Sequence, residues 1–378
     1  GYHRDLHSFP TRRSSDLTRP VKQRIKTLLL IRPGMLGDVL WAEPVIREIK
    51  KREPETRIHF LTAPPHHLLL ADHPDLAGVN DLAPETLLDK KIRLFYEFQP
   101  DRHILDGYLK SAGLTMAPSD PVIRLSRQEK DRGAAILSEL SLGPGPIIGL
   151  HPGVTWPERT WDWINWDRLA RELAVEFGVN ILVLGKTPDF ILSPWPNLHN
   201  LVDRLIIKEL MAVIDRLDVF VGLDSGLMHL AAARGIPVVA LFGCIRPEWR
   251  RPFSVLFEPV TADVPCLGCQ ARRPVPSFSG RCEDGSMRCM KEIKVASVLN
   301  AALRILKTTD WKPRPAPGAR ASSPTDYKHE KNWTIIPSTA GPPTLRVACG
   351  DRIFTLHSSR DPRSEERRVG KECRSRWS

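Results

Sequence analysis

Residues 26–62 read KTLLLIRPGMLGDVLWAEPVIREIKKREPETRIHFLT, and this stretch decides the fold. Lys26–Arg32 is an apolar run of strand length, and Pro33-Gly34-Met35-Leu36-Gly37 is a turn. From Asp38 to Lys51 the apolar residues Val39, Leu40, Val45, Ile46 and Ile49 recur at helical spacing, and Arg57–Thr62 reads as the next strand. Strand, glycine turn, helix and strand in that order open a parallel α/β sheet.

The pattern continues on both sides of a break. Ala63 to Ala83 holds a short helix and an edge strand, Ile92–Glu97 a strand, His103–Ala112 and Gln128–Leu140 helices. Gly143-Pro144-Gly145-Pro146 reads as a hinge. Strands are expected at Ile147–His151, Val179–Leu184, Asp218–Val221 and Val238–Phe242, with helices at Trp166–Phe177, Ile207–Arg216, Gly226–Ala233 and Ile293–Lys307. The expected organisation is therefore two Rossmann-like doubly wound units, 25–142 and 146–307, with a site in the cleft between them. Residues 312–343, rich in Pro, Ser, Thr and charge, read as a linker, and 344–362 as the start of a further domain. The ends are set aside: PTRRSSDL (10–17) and RSEERRVG (363–370) can be encoded by opposite strands of one DNA segment, so 1–17 and 363–378 read as translated sequencing adapter.

Composition narrows the function classes. The 378 residues are 42% hydrophobic and 26% charged, which fits a globular chain. No apolar run approaches the roughly 20 residues of a membrane span. The formal charge of +11 falls to +7 without the two ends and points to an anionic partner. Six of the seven cysteines lie outside the adapter-like ends, and with no convincing signal peptide the expected location is the cytoplasm.

Four segments carry chemistry. In the first, Gly34 and Gly37 allow positive φ or close approach of a ligand to backbone N–H groups, and Asp38 stands at the helix start, as a cap or as a base for a hydroxyl. In the second, His151-Pro152-Gly153-Val154-Thr155-Trp156-Pro157-Glu158-Arg159-Thr160-Trp161 follows a strand. Thr155 and Arg159 there suit a phosphate, unless the loop is only ordered by its two tryptophans. In the third, a strand runs into Asp224-Ser225-Gly226 and a small-residue helix carrying His229. N–H groups at its start favour a diphosphate, the plainer reading being a helix cap. The fourth is Cys266-x2-Cys269-x12-Cys282-x6-Cys289, either a structural zinc site or reduced thiols in a loop. A nucleic-acid finger is poorly supported, since basic residues here are few.

Taken together, RPGMLGDVLWAEPVIREIK, HPGVTWPERTW and DVFVGLDSGLMHLAAARGIPVVALFG resemble, in order, the glycosyltransferase family that contains the ADP-heptose:lipopolysaccharide heptosyltransferases. The cysteine segment also resembles one found in many members, and the resemblance covers about residues 25–307. It implies a GT-B fold and metal-independent, inverting transfer from a nucleotide-diphosphate sugar, ADP-heptose being the implied donor. A glycan or lipopolysaccharide-core acceptor at the inner membrane face, a cytoplasmic or peripheral location and no nucleic-acid partner follow. On this resemblance Asp38 matches the general base, Thr155 lies in the donor-phosphate loop, Arg159 stands where many members have Lys, and Asp224, Ser225, Gly226 and His229 match the donor-binding segment. Two other readings stay open: an epimerase or hydrolase with the same donor site, and a non-catalytic nucleotide-sugar-binding module.

Overall fold

The computed structural model describes residues 25–81, 87–97, 101–153, 157–186, 192–272, 282 and 285–309, and the backbone of three later strands. The first unit runs β1 (Thr27–Ile31), α1 (Leu36–Leu40), α2 (Glu43–Arg52), β2 (Arg57–Leu61), β3 (Leu76–Val79), β4 (Lys90–Arg93), α3 (Ile104–Ala112) and α4 (Arg127–Ser138). Its four strands are parallel in the order β3-β2-β1-β4. The second runs β5 (Ile147–His151), α5 (Trp163–Arg171), β6 (Asn180–Val183), β7 (Leu198–Asn200), α6 (Ile207–Ile214), β8 (Val219–Leu223), α7 (Gly226–Ala233), β9 (Val238–Phe242), β10 (Phe257–Thr261), α8 (Arg288–Lys291) and α9 (Val295–Thr308). Its six strands are parallel in the order β10-β9-β8-β5-β6-β7, the doubly wound order of a dinucleotide-binding unit.

Burial explains the strand sequences. Every residue of β5, β8 and β9 is buried, so these strands are apolar throughout rather than alternating. The strand order reverses between β5 and β8, and in the smaller sheet between β1 and β4. Segments leaving the carboxyl ends of those strands diverge and leave a crevice. One core joins the units: Leu30, Val45, Ile46 and Phe60 from the first belong to the same buried cluster as Met211, Phe220, Met228 and Phe242 from the second. A second core, with Trp161, Trp166, Leu241 and Val298, lies within the larger unit.

The structure corrects several expectations. The helix read from Asp38 to Lys51 is two helices broken at Trp41-Ala42. Pro44, in the first turn of α2, has no N–H to donate to Leu40, so the first helix ends where the second begins. The helix expected at Trp166–Phe177 starts earlier, at Trp163, and closes in a π-turn over Glu172–Glu176. The Gly143–Pro146 stretch is tied down: Asn180 accepts from Gly143 N at 2.7 Å and donates to the carbonyls of Gly143 and Gly145. Just before it, α4 packs on α6, where Gly133 has no room for a β-carbon beside Ala212. Three antiparallel strands, β11 (Trp333–Ile336), β12 (Thr344–Cys349) and β13 (Arg352–His357), form a separate sheet. The first of them falls inside the stretch read as a linker. The adapter-like ends lie outside the described residues.

Hydrogen-bonded ties also join the units. Asp120 accepts from Phe253 N at 2.9 Å, Ser254 N at 2.8 Å and the Ser254 hydroxyl. His103, whose Nδ1 caps α3 by accepting from Leu105 N, donates through Nε2 to Arg251 O at 2.9 Å.

Candidate active site

The carboxyl end of β1 delivers Arg32, and the turn after it delivers Asp38 as the third residue of α1. Asp38 Oδ2 accepts from Met35 N at 2.8 Å, closing the start of the helix, while Oδ1 accepts from Arg32 Nη2 at 3.0 Å. The cap reading is therefore met, and the carboxylate still faces the crevice, with its side chain 16% exposed. Arg32 is buried and reaches Glu97 at 2.7 Å and Leu94 O at 3.1 Å, both just past β4. Its guanidinium lies over the rings of Tyr96 and Tyr108, and Tyr108 donates to Asp38 O at 3.1 Å. Burial, then the Asp38 charge, pushes the Tyr96 hydroxyl up to about 12.

Gly34 and Gly37 do not adopt positive φ. Both are glycine because of close approach. A β-carbon at Gly34 would stand 2.7 Å from Asp38 Oδ2, and one at Gly37 would stand 2.9 Å from His229 Cδ2 and 3.5 Å from Gly226 Cα. At Gly226 a β-carbon would meet Leu36 Cβ at 2.8 Å. The starts of α1 and α7 thus abut across the two units, which places Asp38 and the Asp224–His229 segment in one crevice.

On the far side, Ser225 is the N-cap residue of α7 but makes no capping bond, and its buried hydroxyl finds no partner among the described residues. Among the described residues, no side chain caps the N–H groups of the first turn of α7. Asp224 Oδ2 pairs with Arg159 Nη1 at 3.3 Å. Arg159 also donates to Gln270 Oε1 at 3.2 Å. Gln270 arrives there because Gly268 N and Gln270 N bond the carbonyls of Gly243 and Cys244, each at 3.0 Å, just past β9. Trp161, fully buried with its Nε1 donating to Ile293 O at 3.0 Å, anchors the loop that carries Arg159. Thr155 and Trp156 lie outside the described residues.

His229 is buried, and burial, followed by Arg250, His103 and Arg159, holds its pKa well below the usual histidine range. It is neutral, not the cation that would strengthen a phosphate contact. Of the cysteines, Cys269 and Cys289 are buried, Cys266 and Cys282 partly so, and none of these four is in a disulfide. Burial, then the neighbouring Cys244, Cys266, Cys269 and Cys282, pushes the Cys289 thiol up to about 12. Among the described residues no group of three or more His, Cys, Asp or Glu is placed to hold a metal ion. Arg32, Glu97, Tyr96, Tyr108, Trp41, Arg250 and Gln270 were not assigned roles from sequence. The usable signal was position: Arg32 and Glu97 end or follow parallel strands.

The sequence profile of glycosyltransferase family 9 (heptosyltransferase) matches residues 86–275, half of the chain. The chain belongs to that family. This family 9 chain is 30% identical over 152 residues to lipooligosaccharide heptosyltransferase 2 of Haemophilus influenzae, covering 37% of the chain and 42% of that protein. It is 30% identical over 146 residues to lipopolysaccharide heptosyltransferase 2 of Salmonella typhimurium, covering 35% and 41%. The matched stretch thus spans about two-fifths of the length of these relatives. Its fold is shared with a family 9 glycosyl transferase from Veillonella parvula, at a TM-score of 0.61, 18% identity, and 75% and 98% coverage of the two chains. It is shared also with the E. coli ADP-heptose lps heptosyltransferase II, at 0.55, 18%, 75% and 100%. An iron-containing dodecameric glycosyltransferase from enterotoxigenic E. coli gives 0.58 at 17%, with 75% and 77% covered. The fold is accordingly the two-unit GT-B arrangement expected from the sequence.

Proposed function

We propose that this family 9 chain is an inverting glycosyltransferase that moves a sugar, heptose from ADP-heptose, from a nucleotide-diphosphate donor to a hydroxyl of a lipopolysaccharide-core acceptor. The observation that carries it is the abutment of α1 and α7. It sets a carboxylate, Asp38, across a crevice from a helix start whose N–H groups and Ser225 hydroxyl lack side-chain partners among the described residues. The relatives that match the chain are heptosyltransferases, which supports this choice of sugar and acceptor.

In this reading the donor diphosphate lies on the first turn of α7, where backbone N–H groups and the helix dipole favour negative charge. Arg159, aligned by Asp224 and Gln270, adds a guanidinium, with Thr155 on the same loop. His229 adds an uncharged N–H. These fixed donors stabilise charge as it builds on the leaving diphosphate, without requiring a metal in that step. Asp38 accepts the proton of the acceptor hydroxyl as its oxygen bonds the anomeric carbon. The carbon–oxygen bond to the diphosphate breaks on the opposite face, the electron pair leaving with the diphosphate. Arg32 and Met35 N hold the carboxylate in place for that transfer. The enzyme works in the cytoplasm, at the inner face of the membrane where its acceptor lies.

The test is incubation of the full chain with ADP-heptose and a heptose-deficient lipopolysaccharide core. Mass spectrometry should show one added heptose, and nuclear magnetic resonance an inverted anomeric centre. Consumption of donor at the same rate without acceptor would instead identify a hydrolase or epimerase.

A further inference from the structure

His229, from the larger unit, is held by a residue of the smaller one. Trp41 directly follows α1, and its indole Nε1 lies 3.1 Å from His229 Nδ1. An indole nitrogen can only donate a hydrogen bond, so Nδ1 must offer a lone pair, and the ring proton resides on Nε2. An imidazolium in this position would set N–H against N–H. Trp41 has little room to turn away. It is 1% exposed and packs edge-on against His103 at 4.7 Å and Phe253 at 5.8 Å between ring centroids. His103 is itself fixed by Leu105 N and Arg251 O. Glycine at 37 lets α1 lie against the Cδ2–Nε2 edge of His229, where a β-carbon would stand 2.9 Å from Cδ2 and 3.7 Å from Nε2.

We propose that Trp41 is a positioning residue of the donor site: its N–H selects the Nε2–H tautomer of His229 and so presents an uncharged donor to the leaving diphosphate. The bond spans the two units, so the half of the molecule that carries Asp38 also sets the chemistry of the half that holds the donor. This rests on the reading that the diphosphate binds at α7.

The experiment uses the full chain labelled with ¹⁵N-histidine, the His229 resonances being assigned by comparison with His229→Gln. At neutral pH the wild type should show an unprotonated Nδ1 and a protonated Nε2. Trp41→Phe keeps an apolar ring but removes the N–H. It should move the Nδ1 resonance towards a tautomer average and weaken ADP binding by about three- to tenfold, the loss expected for one neutral hydrogen bond. Trp195→Phe, which loses an indole bond to Asp167 outside the crevice, should change neither. An Nδ1–H or cationic His229 in the wild type would overturn the proposal, and this measurement stands even if Trp41→Phe does not fold. Wild-type resonances and ADP affinity in a folded Trp41→Phe would also overturn it. A wild type that binds none of ADP, GDP and UDP would reject the donor site at α7 and the role of Trp41 with it.

Discussion

In the proposed reaction Asp38 serves a helix and a proton transfer together. Asp38→Asn keeps an oxygen for Met35 N but removes the base, so turnover should fall by roughly 10²-fold or more while donor affinity, read by calorimetry, stays near wild type. Unchanged turnover would leave Asp38 as a cap alone. Gly37→Ala should cost about 1–3 kcal/mol by overpacking, measured by urea unfolding, because His229 is pinned by Trp41 and cannot yield. Three buried histidines predict acid sensitivity. Burial holds His103 and His151 down to about 4, and His229 well below the usual range. In the unfolded chain these rings take up protons near 6.5, in the folded one only at lower pH, so acid favours unfolding. The free energy of unfolding should fall by about 2 kcal/mol for each of His103 and His151 between pH 7 and pH 5, and further through His229. Asp38 and the Asp224–His229 segment were legible as candidates because such residue types recur at strand ends. Arg32 was quoted in the same motif yet unreadable, since its partner Glu97 lies beyond three further strands and meets it only in the folded sheet.

At the scale of elements, strands β5 and β9 and helix α7 were read with their ends because each is an unbroken apolar run or begins at Asp-Ser-Gly. The edge strands β7 and β10 were missed for a physical reason. β7 has three residues, and β10, FEPVT, carries Glu258 and Pro259 with only Val260 buried. The break between α1 and α2 was legible in Pro44 and passed over because the apolar spacing carries through it. Two loops bring chemistry to the crevice, and each gives a test. Trp161→Ala should destabilise by about 3–5 kcal/mol through the cavity it leaves, and should weaken ADP binding by releasing Arg159; Trp161→Phe should do less of both. In the cysteine loop, a thiol reacts as its thiolate, so exposure and pKa set the order. Brief alkylation followed by peptide mapping should label Cys266 and Cys282 well before Cys269 and Cys289, the last being buried with its thiol pushed up to about 12. Equal labelling would mean that the loop does not dock on β9 in solution.

At the scale of the whole molecule, both units were expected, but the extent of their union was not. It depends on Asp120, His103 and Trp41 meeting residues more than a hundred positions away, which no local pattern reports. Every buried residue of the two cores lies between Leu28 and Ile305. A chain trimmed to residues 18–310 should therefore melt in one cooperative transition within a few degrees of the full chain and keep its donor preference, by calorimetry and ADP titration. The shared core has one more consequence, for the rate at which backbone amides trade hydrogen for deuterium. A free-standing sheet of four strands would open on its own and lose its protection first. Here Leu30 and Phe60 belong to the same buried cluster as Phe220 and Phe242. The slowest amides of β1 and β2 should therefore share one protection ceiling with those of β8 and β9, set by opening of the whole molecule rather than of either sheet.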